Sequence, residues 1–193
     1  MAYPSPLQEA ADRLIPLQQG KLDNLCGLYS ILNAIRLASW PTLELHHYRS
    51  RQLFDHGIAL LERDGMLRQV LKQGMPEKTW IWLCRALLRE ANRLNGSTLQ
   101  RVPILEKVGR TDTPTAFARI GQHTRRGEPV MVTLRGGYNH YTVVVDCTET
   151  RLKLFDSYGY RWVSLASCEL HHRHASLRHQ IPRASAACLQ QTI

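Results

Sequence analysis

The sequence has no apolar run long enough to cross a membrane, and its start lacks the basic and then apolar pattern of a secretory signal peptide. It has no CxxC pair, and its five cysteines are odd in number and irregularly spaced. These absences argue against a membrane span, a disulfide framework and a structural zinc site. We expect free thiols and a cytoplasmic protein, or one exported without a cleavable signal.

Acidic residues are scarce, since 16 Asp and Glu stand against 25 Lys and Arg and give a formal charge of +9. Such a charge favours acidic partners, among them an acidic protein. Segment 169–183 concentrates His and Arg, but no aromatic residue interleaves with these charges. Stacking on nucleic acid needs aromatic side chains. We therefore expect a solvated surface or a partner face there, and no nucleic-acid interface.

Apolar periodicity and Pro or Gly boundaries predict helices at about residues 25–38, 43–63, 66–73, 80–94 (with Pro76 in the first turn) and 113–126, with Thr42 as a cap. β-Branched and alternating runs predict strands in STLQRVPIL, PVMVTLR, HYTVVVDC, RLKLFDS and RWVSL. Helices come mostly before strands, which favours an α+β fold. We predict a single domain over residues 1–193, with N-terminal helices (about 22–96) packed on a C-terminal antiparallel β-sheet (about 97–183).

Cys26 stands at the start of the helix predicted from LDNLCGLYSILNAI. Asp23 or Asn24 is expected to cap this helix, which would place the thiol in its first turn. A helix N-terminus and a neighbouring imidazolium both favour the reactive thiolate. Gly27 would leave room beside the sulfur for a substrate carbonyl. The alternative at this stage is a small cysteine packed in the core.

His140 and Asp156 bracket a predicted hairpin whose turn contains Thr148. Both residues are equally far from that turn, so they are expected at the same end of the two paired strands. A carboxylate there can hold one nitrogen of the imidazole while the other faces a thiol. The alternative is a strand-edge histidine and a turn-forming aspartate. Gly136, Gly137 and Asn139 precede His140 and are candidate substrate-binding residues, because glycines permit close backbone approach. A plain hairpin turn explains the two glycines equally well.

The chain resembles the papain-like cysteine peptidase superfamily in three segments and in their order, which are QQGKLDNLCGLYS, NHYTVVV and LFDSYG. It is most similar to compact bacterial members, which include bacteriocin-leader-processing peptidases and effector proteases of plant pathogens. The resemblance covers about residues 18–35 and 136–160. It implies a papain-like fold with Cys26 as nucleophile, His140 as base and acid, Asp156 as its orienting partner, and Gln19 as oxyanion donor.

Gln18 remains a rival for the oxyanion role, because both glutamines lie further from Cys26 than is usual in that family. The expected activity is hydrolysis of a peptide or isopeptide bond through a thioester, without a cofactor. Small residues beside the site suggest a protein or peptide substrate with a glycine-ended tail.

Two other functions stay open from the sequence alone. The first is acyl transfer, as in transglutaminases and arylamine acetyltransferases, which use the same three residue types in the same order. The second is a basic adaptor without catalytic activity. The histidines at positions 46, 47, 171, 172 and 174 lack the spacing of known zinc pairs, so no metal is expected.

Overall fold

The computed structural model describes residues 5–21, 23–41, 47–106, 111–172 and 174–192. Within these ranges the chain forms six α-helices and eight β-strands, so the predicted α+β class is confirmed. No helix in the described ranges is both long and apolar enough to pass through a membrane.

Five of the six helices in the described ranges correspond to predicted ones, whereas the first, Pro6–Arg13, lies in a segment for which no helix was predicted. Thr42, predicted as a cap, lies outside the described residues together with residues 43–46. Pro76 stands directly before the long helix, and Gly96 ends it in the left-handed conformation, φ 61°. The helices are α1 Pro6–Arg13, α2 Cys26–Ser39, α3 His47–Arg63, α4 Leu67–Gln73, α5 Glu77–Asn95 and α6 Thr113–Arg125.

The sheet has the order β1-β8-β2-β3-β4-β5 with antiparallel pairing, and β7 also pairs with β2. The strands β6 and β7 form one parallel pair. The strands are β1 Leu99–Pro103, β2 Val130–Gly136, β3 His140–Cys147, β4 Arg151–Phe155, β5 Trp162–Ser164, β6 Cys168–Leu170, β7 His179–Ile181 and β8 Ala187–Gln191.

The sheet extends past the predicted limit at residue 183, because β8 lies between β1 and β2. The strands β6 and β7 occupy the two ends of the basic segment 169–183, where Leu170, His179 and Ile181 are buried. Exposed residues between them include His171, His172 and His174. The predicted surface role therefore applies to the middle of the segment and not to its ends.

Both faces of the sheet are covered. Along β2, Val130 and Val132 belong to one apolar cluster with Phe117 and Ile120 of α6. Met131, between the two valines, belongs to the other cluster, which holds the buried residues of α1, α2 and α5. Successive side chains of a strand point to opposite faces. The apolar run PVMVTLR is thus explained by burial on both sides of the sheet.

Candidate active site

Cys26 is the first residue of α2 and is 8% exposed. The predicted cap is wrong: Leu25 occupies the N-cap position, and no side chain caps the helix. Asp23 instead accepts hydrogen bonds from the backbone N–H groups of Gly20 and Leu25, and so shapes the turn before the helix. The Asn24 amide donates to the carbonyl of Leu71. The start of α2 keeps backbone donors that no side chain satisfies, and these favour a negative charge nearby.

Trp80 of α5 fixes the start of α2. Its indole N–H donates to the Gly27 carbonyl at 3.1 Å and lies 3.2 Å from the Ser30 hydroxyl. A Cβ atom on Gly27 would lie 3.0 Å from the Met75 sulfur and 3.1 Å from the Trp80 ring. The absent side chain at position 27 therefore makes room for the core and not, as expected from the sequence, for a substrate.

His140 begins β3, and its Nε2 lies 2.7 Å from Oδ2 of Asp156, which follows β4. The predicted contact is present, although the register differs from a symmetric hairpin. A bulge near Val145 shifts the pairing, and Val143 opposes Phe155. The carboxylate therefore reaches diagonally along the strands to the imidazole instead of lying directly opposite it.

Asp156 is almost fully buried, at 1% exposure. Its Oδ1 accepts hydrogen bonds from the backbone N–H groups of Tyr158 at 2.8 Å and Tyr160 at 3.2 Å. Burial alone would raise the pKa of Asp156, but the hydrogen bonds, led by that from His140, lower it below its ordinary value. The carboxylate is thus ionised and held in one orientation.

The His140 ring is hydrogen-bonded to Asp156, and the Cys26 thiol is close enough to raise the pKa of the imidazole. Since Nε2 is bound to Asp156, Nδ1 is the atom left for the sulfur. Burial alone would lower the pKa of His140, but its interactions with Asp156 and Cys26 outweigh burial and raise that pKa to about 9. The raised pKa favours the protonated imidazole.

Gln19 is hydrogen-bonded to Ser157, the residue after Asp156. Its backbone N–H donates to the Ser157 carbonyl at 3.0 Å, and its side-chain Oε1 accepts from the Ser157 hydroxyl at 3.3 Å. The Nε2 donor of the amide is then the group that remains for a ligand. Gln18 is exposed and lines a separate cavity with Tyr29 and Phe54. This geometry favours Gln19 over Gln18 at the site.

Gly136 and Gly137 approach the chain's own backbone. A Cβ atom on Gly136, whose φ is +84°, would lie 2.6 Å from the Arg178 carbonyl oxygen. Gly137 donates its N–H to that same oxygen at 2.7 Å. The close approach expected for a substrate is therefore made by Arg178. Asn139, with φ 49°, accepts a hydrogen bond from the Gly136 N–H and closes the turn before His140.

A cavity of about 280 Å³ opens beside Cys26. Asn139 is the only one of the four predicted substrate-binding residues that lines it. Its other lining residues, apart from Cys26, are Gln73, Gly74, Met75, Pro76, Glu77, Thr133, Arg135 and Tyr141. Sequence reasoning missed this set, because it combines the α4–α5 connection with β2 and β3. The one available signal was that Arg135 directly precedes the GGYN turn next to His140.

Two charged residues of this cavity form an ion pair, with 3.3 Å between Arg135 and Glu77. The Tyr141 hydroxyl donates to the Met75 carbonyl at 2.8 Å and fixes the opposite wall. On the other side of the imidazole, the rings of Tyr158 and Tyr160 stand edge-on to His140 at 6.3 and 5.7 Å. The imidazole is thus shielded from solvent on its aspartate side, while the thiol faces the cavity.

Comparisons with protein-family models, curated proteins and solved structures found no match to this chain.

Proposed function

We propose that the chain is a cysteine peptidase, a thiol hydrolase that cleaves a peptide or isopeptide bond with Cys26, His140 and Asp156. The observation that carries the proposal is the imidazole of His140, which a buried carboxylate holds at Nε2 and whose pKa is raised by Asp156 and by the nearby Cys26 thiol at a helix start. This is the arrangement of nucleophile, base and orienting group that acyl transfer requires. The open cavity beside the thiol supports access for a substrate.

In the proposed reaction the Cys26 thiolate attacks the scissile carbonyl carbon and forms a tetrahedral intermediate. The first-turn N–H groups of α2 and the Gln19 amide stabilise its oxyanion. Protonated His140 gives its proton to the leaving amine as the C–N bond breaks, which leaves a thioester. Neutral His140 then takes a proton from water as that water attacks the thioester, and the acid product and the thiolate are released.

The substrate is proposed to be a peptide or protein segment narrow enough for the cavity at Cys26. The glycines that suggested a glycine-ended tail are packed against Met75, Trp80 and Arg178. These packed glycines therefore give no structural support for a preference for glycine-ended substrates. Arg135 and Glu77 are the charged groups available to a substrate side chain in this cavity.

The proposal is tested by the rate of Cys26 alkylation with iodoacetamide as a function of pH, read by peptide mass spectrometry. We expect Cys26 to be alkylated faster than Cys147 at pH 6 in the unmodified protein and to lose that advantage in His140→Ala. Cys147 is a built-in reference, since it is half-buried and burial raises the pKa of its thiol. Cys26 reacting no faster than Cys147 at pH 6 would contradict the proposal.

Turnover of peptide reporters then distinguishes a peptidase from an acyltransferase and from a non-catalytic adaptor. Cys26→Ala should abolish cleavage, with circular dichroism confirming that the variant folds. Addition of an amine acceptor should leave the free acid as the main product, whereas a conjugate would indicate an acyltransferase. An adaptor would retain partner binding in Cys26→Ala and lose it steeply with salt.

A further inference from the structure

A second group of reactive side chains lies away from Cys26. His123 is in the last turn of α6, Glu128 is in the turn before β2, and Cys188 is in β8. Nδ1 of His123 lies 2.5 Å from Oε2 of Glu128. One potential ligand atom from each of the three residues lies within 4.8 Å of the other two. Three separate elements thus bring an imidazole, a carboxylate and a thiol to one point.

We propose that His123, Glu128 and Cys188 form a binding site for a divalent transition-metal ion of the zinc type. Imidazole nitrogen, carboxylate oxygen and thiolate sulfur are the three donor types that zinc takes from proteins. A mixed N, O and S set disfavours magnesium and calcium, which prefer oxygen alone. The site is independent of the proposed peptidase activity.

The burial of the three residues fits such a site. Cys188 is fully buried, whereas the side chains of His123 and Glu128 are 16% and 20% exposed. The thiol therefore belongs to the most deeply buried of the three ligand side chains, and the imidazole and carboxylate are the two that are partly exposed to solvent. Water on that open side supplies a fourth ligand, as in zinc sites with three protein ligands.

Supporting contacts hold two of the ligands. The Gln190 amide donates to Glu128 Oε2 at 3.2 Å, and the Glu128 backbone N–H donates to the His123 carbonyl at 3.1 Å. Hydrogen bonds to a ligating carboxylate orient it and are part of how proteins tune metal affinity. Gln190 belongs to β8, like Cys188, so the strand provides both a ligand and its neighbour's support.

Ion binding requires two local changes. Ligands bonded to zinc at about 2.0–2.3 Å in a tetrahedron lie more than about 3 Å apart, so the direct His123–Glu128 hydrogen bond must open. Rotation of the partly exposed Glu128 side chain achieves this. The S–H bond of Cys188 breaks as the metal–sulfur bond forms, and the proton passes to solvent. The bound ion would tie the end of α6 to β8.

The test uses Co²⁺ as a spectroscopic substitute for Zn²⁺, in a Cys26→Ala background. That background removes the other thiol that lies beside a histidine. We expect one equivalent of Co²⁺ to bind with a sulfur-to-cobalt charge-transfer band, and Zn²⁺ to displace it. Cys188→Ser should remove the band, and His123→Gln should weaken binding by at least about tenfold.

Cys168→Ser is the matched control, because Cys168 is buried in the same apolar cluster as Cys188. It should keep the band and the affinity. Absence of the band in the Cys26→Ala protein, or its survival in Cys188→Ser, would overturn the proposal and leave a hydrogen-bonded cluster only. If Cys188→Ser does not fold, His123→Gln decides, since unchanged Co²⁺ affinity in that variant also overturns it.

Discussion

His140 is the residue on which the candidate active site depends, because it is hydrogen-bonded to Asp156 and its pKa also responds to the Cys26 thiol. It lies at the first position of β3, and its exposure is only 5%. A buried ring between an ionised carboxylate and a thiol has a strongly pH-dependent charge. That charge affects the stability of the fold as well as any chemistry at Cys26.

The pH dependence of unfolding should therefore carry a contribution from His140. Its pKa is about 9 in the folded protein and 6.5 ordinarily, so the protonated form favours folding. The stabilisation is complete below about pH 6.5 and is lost as the pH rises through about 9, with a size on the order of 3 kcal/mol. Urea unfolding between pH 6 and 10 measures it. His140→Gln should flatten this decline, and parallel profiles would refute the assignment.

The two neighbouring glutamines, Gln19 and Gln18, are expected to differ in their contribution to oxyanion stabilisation. Gln19→Ala should lower kcat by about 10²–10³, the effect of removing one oxyanion donor, with a smaller change in KM. Gln18→Ala is the matched control and should retain full activity, because Gln18 is exposed beside a different cavity. Equal losses in the two variants, or less than about a twofold change in Gln19→Ala, would remove Gln19 from the site.

At the residue scale, sequence reasoning identified the cysteine, histidine and aspartate that the structure brings together. Helix-start and hairpin signals are local, and they were sufficient for these three. The roles of Gly27, Gly136 and Gly137 were not predictable, because each depends on a distant neighbour such as Trp80 or Arg178. The ion pair of Glu77 and Arg135 was missed for the same reason, since the two lie on different elements.

At the scale of elements, the turn between β2 and β3 combines two constraints on Gly136. Its φ is +84°, and a Cβ atom there would lie 2.6 Å from a backbone oxygen. Gly159 shares a positive φ of +93°, but a Cβ atom there meets nothing within 4 Å. Comparing the same substitution at the two positions therefore distinguishes the cost of backbone strain from the cost of steric overlap.

We expect Gly159→Ala to lower the free energy of unfolding by about 1 kcal/mol, the cost of a left-handed conformation. Gly136→Ala should cost clearly more, because the strand β2 must also move away from Arg178. Urea denaturation of the two variants measures the difference. An equal loss of unfolding free energy in the two variants would show that the backbone near Arg178 moves away from the new Cβ atom at no cost.

The helices α2 to α6 and the strands β1 to β5 were predictable from apolar periodicity and from Pro and Gly positions. The strands β6, β7 and β8 were not. The first two have three residues each and lie at the ends of a basic segment whose composition indicates surface. The bulge near Val145 was also hidden, because a bulge depends on pairing between strands and leaves no mark in β-propensity.

For the whole molecule, the formal charge of +9 sets the expected response to salt. Peptide reporters with the same cleavage site should be turned over at different rates when flanked by Glu or by Lys. At low salt kcat/KM should favour the Glu-flanked reporter, and the advantage should shrink between 0.01 and about 0.1 M salt as the Debye length falls from about 30 to 10 Å. Rates for both reporters that do not change with salt would exclude steering by the overall charge.

The position of β8 has a consequence for biosynthesis. Among the described strands, β1 joins the sheet through β8 alone, with Leu99 opposite Gln191. The β1 edge therefore has no partner until residues 187–191 have left the ribosome, although α1 to α5 emerge much earlier. The nascent polypeptide therefore carries its N-terminal helices beside an incomplete sheet until this strand has emerged.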